Sequence, residues 1–161
     1  DHIGSICEEY KHIINQFTYG EAMSRLGFTY TAADKTSELI KGHRTIDQVS
    51  FLKRMWVKYK EFPGVYFAPL EMETILTMPY WMNDDAPPGT LEDIIDTMVM
   101  ELAANGFDKF RKYANTMNAQ CLKKIGYRCS LLPITDDESE CYSKWKQACH
   151  KFLHIDKEYC S

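Results

Sequence analysis

The sequence predicts an all-α fold: a single compact domain over residues 1–161, with about six to eight helices stapled by three disulfides. Three observations predict it. Apolar residues recur at three- and four-residue spacing along most of the chain, and strand alternation is nearly absent, only residues 65–68 being ambiguous. Capping boxes and Gly or Pro stops punctuate those runs. Six cysteines occur, four of them from Cys121 to Cys149. A composition 45 % hydrophobic and 26 % charged is globular, and a chain this long buries about 70 % of its unfolded surface.

In chain order, Ile6, Tyr10, Ile13, Ile14 and Phe17 mark one face of a first helix, with Ser5 as its cap. A short helix over residues 20–28 ends at Gly27, and a third over residues 31–42 ends at Gly42. Thr45 and Gln48 form a capping box for a fourth, striped by Val49, Leu52, Met55, Trp56 and Tyr59 and closed by Pro63 and Gly64. Residues 65–89 are irregular, because Pro69, Pro79, Pro87 and Pro88 break them around a short helix at residues 70–76. Thr90 caps the next helix, which runs to Ala104; Asn105 and Gly106 turn directly into another, faced by Phe107, Phe110, Tyr113, Ala114, Met117 and Cys121. Gly126 stops it. Thr135 opens a capping box with Glu138, and the last helix continues to about Leu153.

Successive cysteines lie 114, 8, 12, 8 and 11 residues apart, so the two-to-four-residue knuckles of zinc sites and the C-x-x-C of thiol redox sites are absent. Disulfides remain. Two helices joined by a short link pack antiparallel, and residues facing each other then share a constant sum. Cys129 with Cys141 and Cys121 with Cys149 both sum to 270. Cysteines eight apart on one helix are about 12 Å apart, too far to bridge each other. The expected pairs are Cys121 with Cys149 and Cys129 with Cys141, a C-terminal cystine-braced hairpin, leaving Cys7 to pair with Cys160.

Net charge is −4 with scattered lysines and arginines. The densest run, residues 52–60, reads as the solvated face of a helix, so no nucleic acid is expected as a partner. No apolar stretch approaches the roughly 18 residues of a membrane span. The start at Asp1 without a signal core, together with the even cysteine count, predicts a processed, secreted, extracellular protein.

Candidate chemistry is sparse. His150 and His154 stand at i and i+4 with Asp156 behind them, a spacing that suits a metal. Lys151, however, occupies the place where a zincin carries its glutamate. The segment resembles secreted phospholipase A2 in setting a histidine on a cysteine-flanked helix, but the His-Asp pair is missing, and the family's activity does not carry over. The six-cysteine helical class resembles the insect odorant-binding family, whose Cys-x-x-x-Cys is absent here. No catalytic residue, metal or cofactor is assigned. Met78, Tyr80, Trp81 and Met82, on a proline-bounded segment, are of the residue types that make binding hot spots. The functional expectation is therefore a secreted non-enzymatic helical protein that binds an extracellular protein partner. A carrier of a small apolar ligand, in a cavity near Met98, Met100 and Met117, is second, and a metal-dependent hydrolase third.

Overall fold

The computed structural model describes residues 3–32, 35 and 38–154. The chain divides into two compact units, Asp1–Leu52 and Lys53–Ser161.

The first unit holds a 3₁₀ turn at Glu8–Tyr10, helix α1 at Gln16–Arg25, a second 3₁₀ turn at Ile46–Gln48 and the two-residue strand β1, Ser50–Phe51. The long first helix does not form. Asn15 intervenes: its side-chain oxygen accepts from the amides of Phe17 and Thr18 at 3.0 and 3.1 Å, and the Thr18 hydroxyl accepts from the Asn15 amide at 3.1 Å. This box starts the helix at Gln16 rather than behind Ser5. The described residues of the expected 31–42 helix are not helical. Little of this unit is buried, and Ile13, Leu26 and Phe28 are 55 %, 71 % and 61 % exposed.

The second unit begins with β2, Arg54–Met55, and continues through α2 (Met72–Thr77), a 3₁₀ turn (Met78–Trp81), α3 (Thr90–Ala104), α4 (Phe107–Ile125) and α5 (Glu138–Phe152). The helix expected across Val49 to Tyr59 is replaced by extended chain. Leu52 and Lys53 take positive φ of 51° and 62°, which no helix passes through. Val57 exchanges backbone hydrogen bonds with Phe67 at 2.9 and 2.8 Å, and Arg54 bridges to Leu70, both antiparallel. Tertiary pairing thus overrides a helix-like stripe, and the fold is mixed rather than purely α.

α3 carries the core. Val99, Leu102, Ala103 and Ala104 are fully enclosed with Phe110 and Ala114 of α4 and Ala148 and Cys149 of α5. The last carbonyls of α3 have no helical partner. Trp145 Nε1 donates to the Ala103 carbonyl and the Tyr59 hydroxyl to the Ala104 carbonyl, each at 2.9 Å. Around Trp145 stand Tyr59, Phe62, Phe107 and Tyr142 at ring distances of 6.1, 5.9, 5.6 and 5.3 Å. Gly106 alone links α3 to α4 beyond Asn105; its φ of 106° and ψ of 158° are open only to glycine, and an added Cβ would meet the Tyr59 hydroxyl at 3.2 Å.

No disulfide joins the described cysteines. Cys7, Cys121, Cys129, Cys141 and Cys149 are all free thiols; the Cys160 half of the third pair lies outside the described residues. The constant-sum argument fails because α4 ends at Ile125, with Gly126 left-handed at φ 68°, so Cys129 sits in a loop. Moreover, α5 packs most extensively on α3, not on α4 as a lone hairpin. Its Cys149 accordingly turns to α3, with Sγ 3.6 Å from the Ala103 carbonyl. Burial pushes the Cys129 and Cys149 thiols up to about 12. The last helix begins at Glu138 as expected, but Asp137 rather than Thr135 caps it, accepting from the Glu140 amide at 2.9 Å. Glu140 reaches back to the Thr135 hydroxyl and the Ile134 and Thr135 amides, which hold its carboxyl below the usual range.

Candidate nucleic-acid interface

Charge is segregated along the second unit. From Glu61 to Gly106 there are acidic residues but no lysine, arginine or histidine. From Phe107 to Arg128 the pattern reverses: Lys109, Arg111, Lys112, Lys123, Lys124 and Arg128 face one acid, Asp108. Because a helix repeats every 3.6 residues, Lys109, Lys112, Thr116, Gln120 and Lys123 fall on one stripe, and all five are exposed. Its length from Lys109 to Lys123 is about 21 Å at 1.5 Å per residue. Arg111 lies off the stripe and pairs with Glu138 at 3.2 Å. Lys109 Nζ donates to the Asn105 side chain at 3.2 Å, which steadies the first cation.

The bearing of α4 depends on α3, and α3 is tied to the extended segment before it by a buried ion pair. Glu101 is 5 % exposed. Arg54 donates to it twice, Nη1 to Oε2 at 3.2 Å and Nη2 to Oε1 at 2.8 Å. The Leu70 amide donates to Oε2 at 3.0 Å, and Arg54 Nη1 also reaches the Ala68 carbonyl at 2.6 Å. Asn105 Nδ2 closes the joint by donating to the Leu70 carbonyl at 3.0 Å. One carboxylate therefore fixes both runs of the ribbon against α3, with the fork geometry that makes arginine the partner of choice.

Beside the stripe, Thr116, Gln120 and Lys124 form one wall of an apolar cavity of about 260 Å³, floored by Ile95, Met98 and Met117. Pro79 belongs to the same cavity, and the residues after it project outward. Tyr80 and Trp81 are 86 % and 81 % exposed, Met82 is 38 % exposed and Met78 half-buried. Tyr80 and Trp81 are thus unshielded rings. His150 sits at α5 with its ring 5.3 Å from Phe62, and His154 is exposed beyond the helix at φ 52°; Asp156 lies outside the described residues. Among the described residues, no three His, Cys, Asp or Glu side chains are grouped to hold a metal ion.

The sequence reading missed Arg54, Glu101 and the α4 stripe. A glutamate inside the apolar run of residues 98–104 was the signal for a buried partner, and the one-sided charge of residues 107–128 was the signal for the stripe.

The fold is similar to part of the Sicinivirus 3Dpol RNA-dependent RNA polymerase, with a TM-score of 0.55 and 24 % identity over 84 % of this chain and 27 % of that one. A family model described as viral RNA-dependent RNA polymerase matches residues 7–118, and the chain belongs to that family. Curated relatives agree. The genome polyprotein of rice tungro spherical virus (strain Vt6) is 30 % identical over 148 residues, covering 90 % of this chain and 4 % of the polyprotein. The replicase polyprotein of acute bee paralysis virus (strain Rothamsted) is 34 % identical over 130 residues, 78 % of this chain and 7 % of the polyprotein. The chain therefore spans only a small part of these relatives.

Membership of a polymerase family overturns the secreted, extracellular, non-enzymatic reading, and with it the extracellular partner, the apolar-ligand carrier and the hydrolase. It overturns the exclusion of nucleic acid as well, since that exclusion rested on scattered charge and overlooked the stripe.

Proposed function

We propose that this chain is part of a viral polymerase that synthesises RNA on an RNA template, and that the α4 stripe holds RNA by its phosphates. The α4 stripe carries the reading: three exposed lysines on one helix face, interleaved with Thr116 and Gln120 and without an acid among them. Lysines at such spacing release counterions from a polyanion and give affinity without sequence preference. Phosphoryl transfer by polymerases uses two metal ions held by the protein. The described residues offer no cluster fitted to them, and the part proposed for this chain is RNA holding. The Arg54/Glu101 joint serves by keeping the base of the stripe in place.

Fluorescence anisotropy with a labelled single-stranded RNA, measured across 50 to 200 mM salt, tests this. Replacing Lys109, Lys112 and Lys123 with Gln removes three phosphate partners. The slope of log affinity against log salt should become shallower by about 2, at about 0.7 per contact for a single strand. An unchanged slope would assign RNA holding to another surface.

A further inference from the structure

The apolar cavity between α3 and α4 and the two rings beside it offer nothing to a phosphate, and each supplies what the other lacks. The cavity, about 260 Å³, is lined by Leu91, Ile95, Met98, Met117 and Cys121, and its edge residues Thr116, Gln120 and Lys124 are exposed, so it opens to solvent. Pro79 belongs to the same lining, and Tyr80 and Trp81 follow it on one 3₁₀ turn, 86 % and 81 % exposed. Rings so exposed fill no cavity of their own chain. Exposed Trp and Tyr at the edge of an apolar pocket are the residue types that anchor protein interfaces.

The charge around the cavity selects the partner. The segment running from Pro79 to Leu91, both in the cavity wall, carries exposed Asp84 and Asp85, and exposed Asp93 follows in the first turn of α3. On the opposite wall α4 presents exposed Lys123 and Lys124, far along the helix from its one acid, Asp108. A partner of either sign is attracted by one wall and repelled by the other. A surface with the same division, turned over, is attracted by both. A two-fold axis supplies that surface, because it sets each residue of a patch against a different residue of the same patch. We propose that two copies of this chain associate about a two-fold axis at this face, the Trp81 ring of each entering the apolar cavity of the other. The area suffices. Aromatic side chains bury about 150–250 Å² each, so Tyr80 and Trp81 of two copies, four-fifths exposed, remove roughly 500–800 Å² from water. The walls they cover contribute about as much again, which reaches the roughly 1,200 Å² at which stable interfaces begin.

Sedimentation velocity of the full chain over a range of concentrations tests it, with alkylation of Cys121 in the cavity as the reporter of place. The wild type should pass from monomer to dimer and no further, and the dimer should weaken as salt rises, because its rim is charged. Trp81→Ala should weaken dimerisation at least tenfold, since the ring is lost from both halves of the interface. Asp84→Lys/Asp85→Lys should weaken it as well, by setting like charge against Lys123 and Lys124. Iodoacetamide should label Cys121 more slowly in the wild-type dimer than in Trp81→Ala at the same concentration. RNA is absent from both measurements, so the result stands apart from the holding of RNA by α4. A wild type that stays monomeric at every concentration overturns the second copy as the occupant and assigns the face to a different partner. An unaltered dimer in Trp81→Ala, or equal labelling of Cys121, overturns the seating of the ring in the cavity. Growth past the dimer overturns the two-fold axis in favour of head-to-tail contact.

Discussion

Removing Arg54 tests the joint at Glu101. The Glu101 side chain is 7 % exposed and that of Arg54 36 % exposed, so the two deletions are not equivalent. In Arg54→Met the carboxylate stays enclosed with only the Leu70 amide, and an uncompensated buried charge costs about 3–5 kcal/mol. In Glu101→Leu the guanidinium can turn to water, while the Leu70 amide loses its acceptor; about 3 kcal/mol is expected. The double variant Arg54→Met/Glu101→Leu leaves no stranded charge and should cost about 4 kcal/mol, well below the sum of the singles, for a coupling of about 3 kcal/mol. For a chain of this size the Arg54 single should lower Tm by about 8–16 °C. Urea denaturation followed by tryptophan fluorescence, with Trp145 in the core as the reporter, measures all three. Singles costing under about 1 kcal/mol, or strict additivity, would refute the claim that the pair locks the ribbon to α3.

Other consequences are as direct. Under native conditions Ellman's reagent should modify exposed Cys7 quickly and Cys129, Cys141 and Cys149 only slowly, with all of them reacting in denaturant; a native protein without reactive thiol would restore the disulfides. Burial lifts Cys129 and Cys149 from 9.0, and Tyr59 from 10.0, to about 12. The unfolded chain loses those protons first, so stability should hold below pH 9 and fall as pH climbs toward 12; a flat alkaline profile of the urea midpoint would contradict the burial. Trp81→Ala should leave the thermal melt within about 0.5 kcal/mol of wild type, because the ring is exposed, and a large drop would place the ring in the core.

The helices α3, α4 and α5 were legible because each joins a clear apolar face to a local stop or cap, as at Gly126. The 49–59 stripe was misleading for a physical reason: apolar residues at 52, 55, 56 and 59 satisfy a helical period. Pairing of Val57 with Phe67, a contact ten residues away in sequence, nevertheless decides the conformation. The cysteines misled through topology. Equal spacing is arithmetic that any two antiparallel helices share, and it says nothing about a third helix taking the facing position, as α3 does here. The functional surface was harder still, since an exposed lysine row and a solvated helix face are the same pattern until a family supplies the ligand. Glu101 was readable in principle, because a carboxylate set among Met100, Leu102 and Ala103 must find a partner.

Gly106 acts as the pivot of a lever. α4 leaves it with Lys109 near the fulcrum and Lys123 about 26 Å along the arm, at 1.5 Å per residue. A rotation of 10° at that point swings the distal cation by about 4 Å on this arm, more than a hydrogen bond's length. The backbone there stands at φ 106° and ψ 158°, and the Tyr59 hydroxyl occupies the space a side chain would need. Any other residue must relax the angle to be accommodated at all. Its damage would therefore be read at the far tip, as lysines aimed past their phosphates while both helices remain intact.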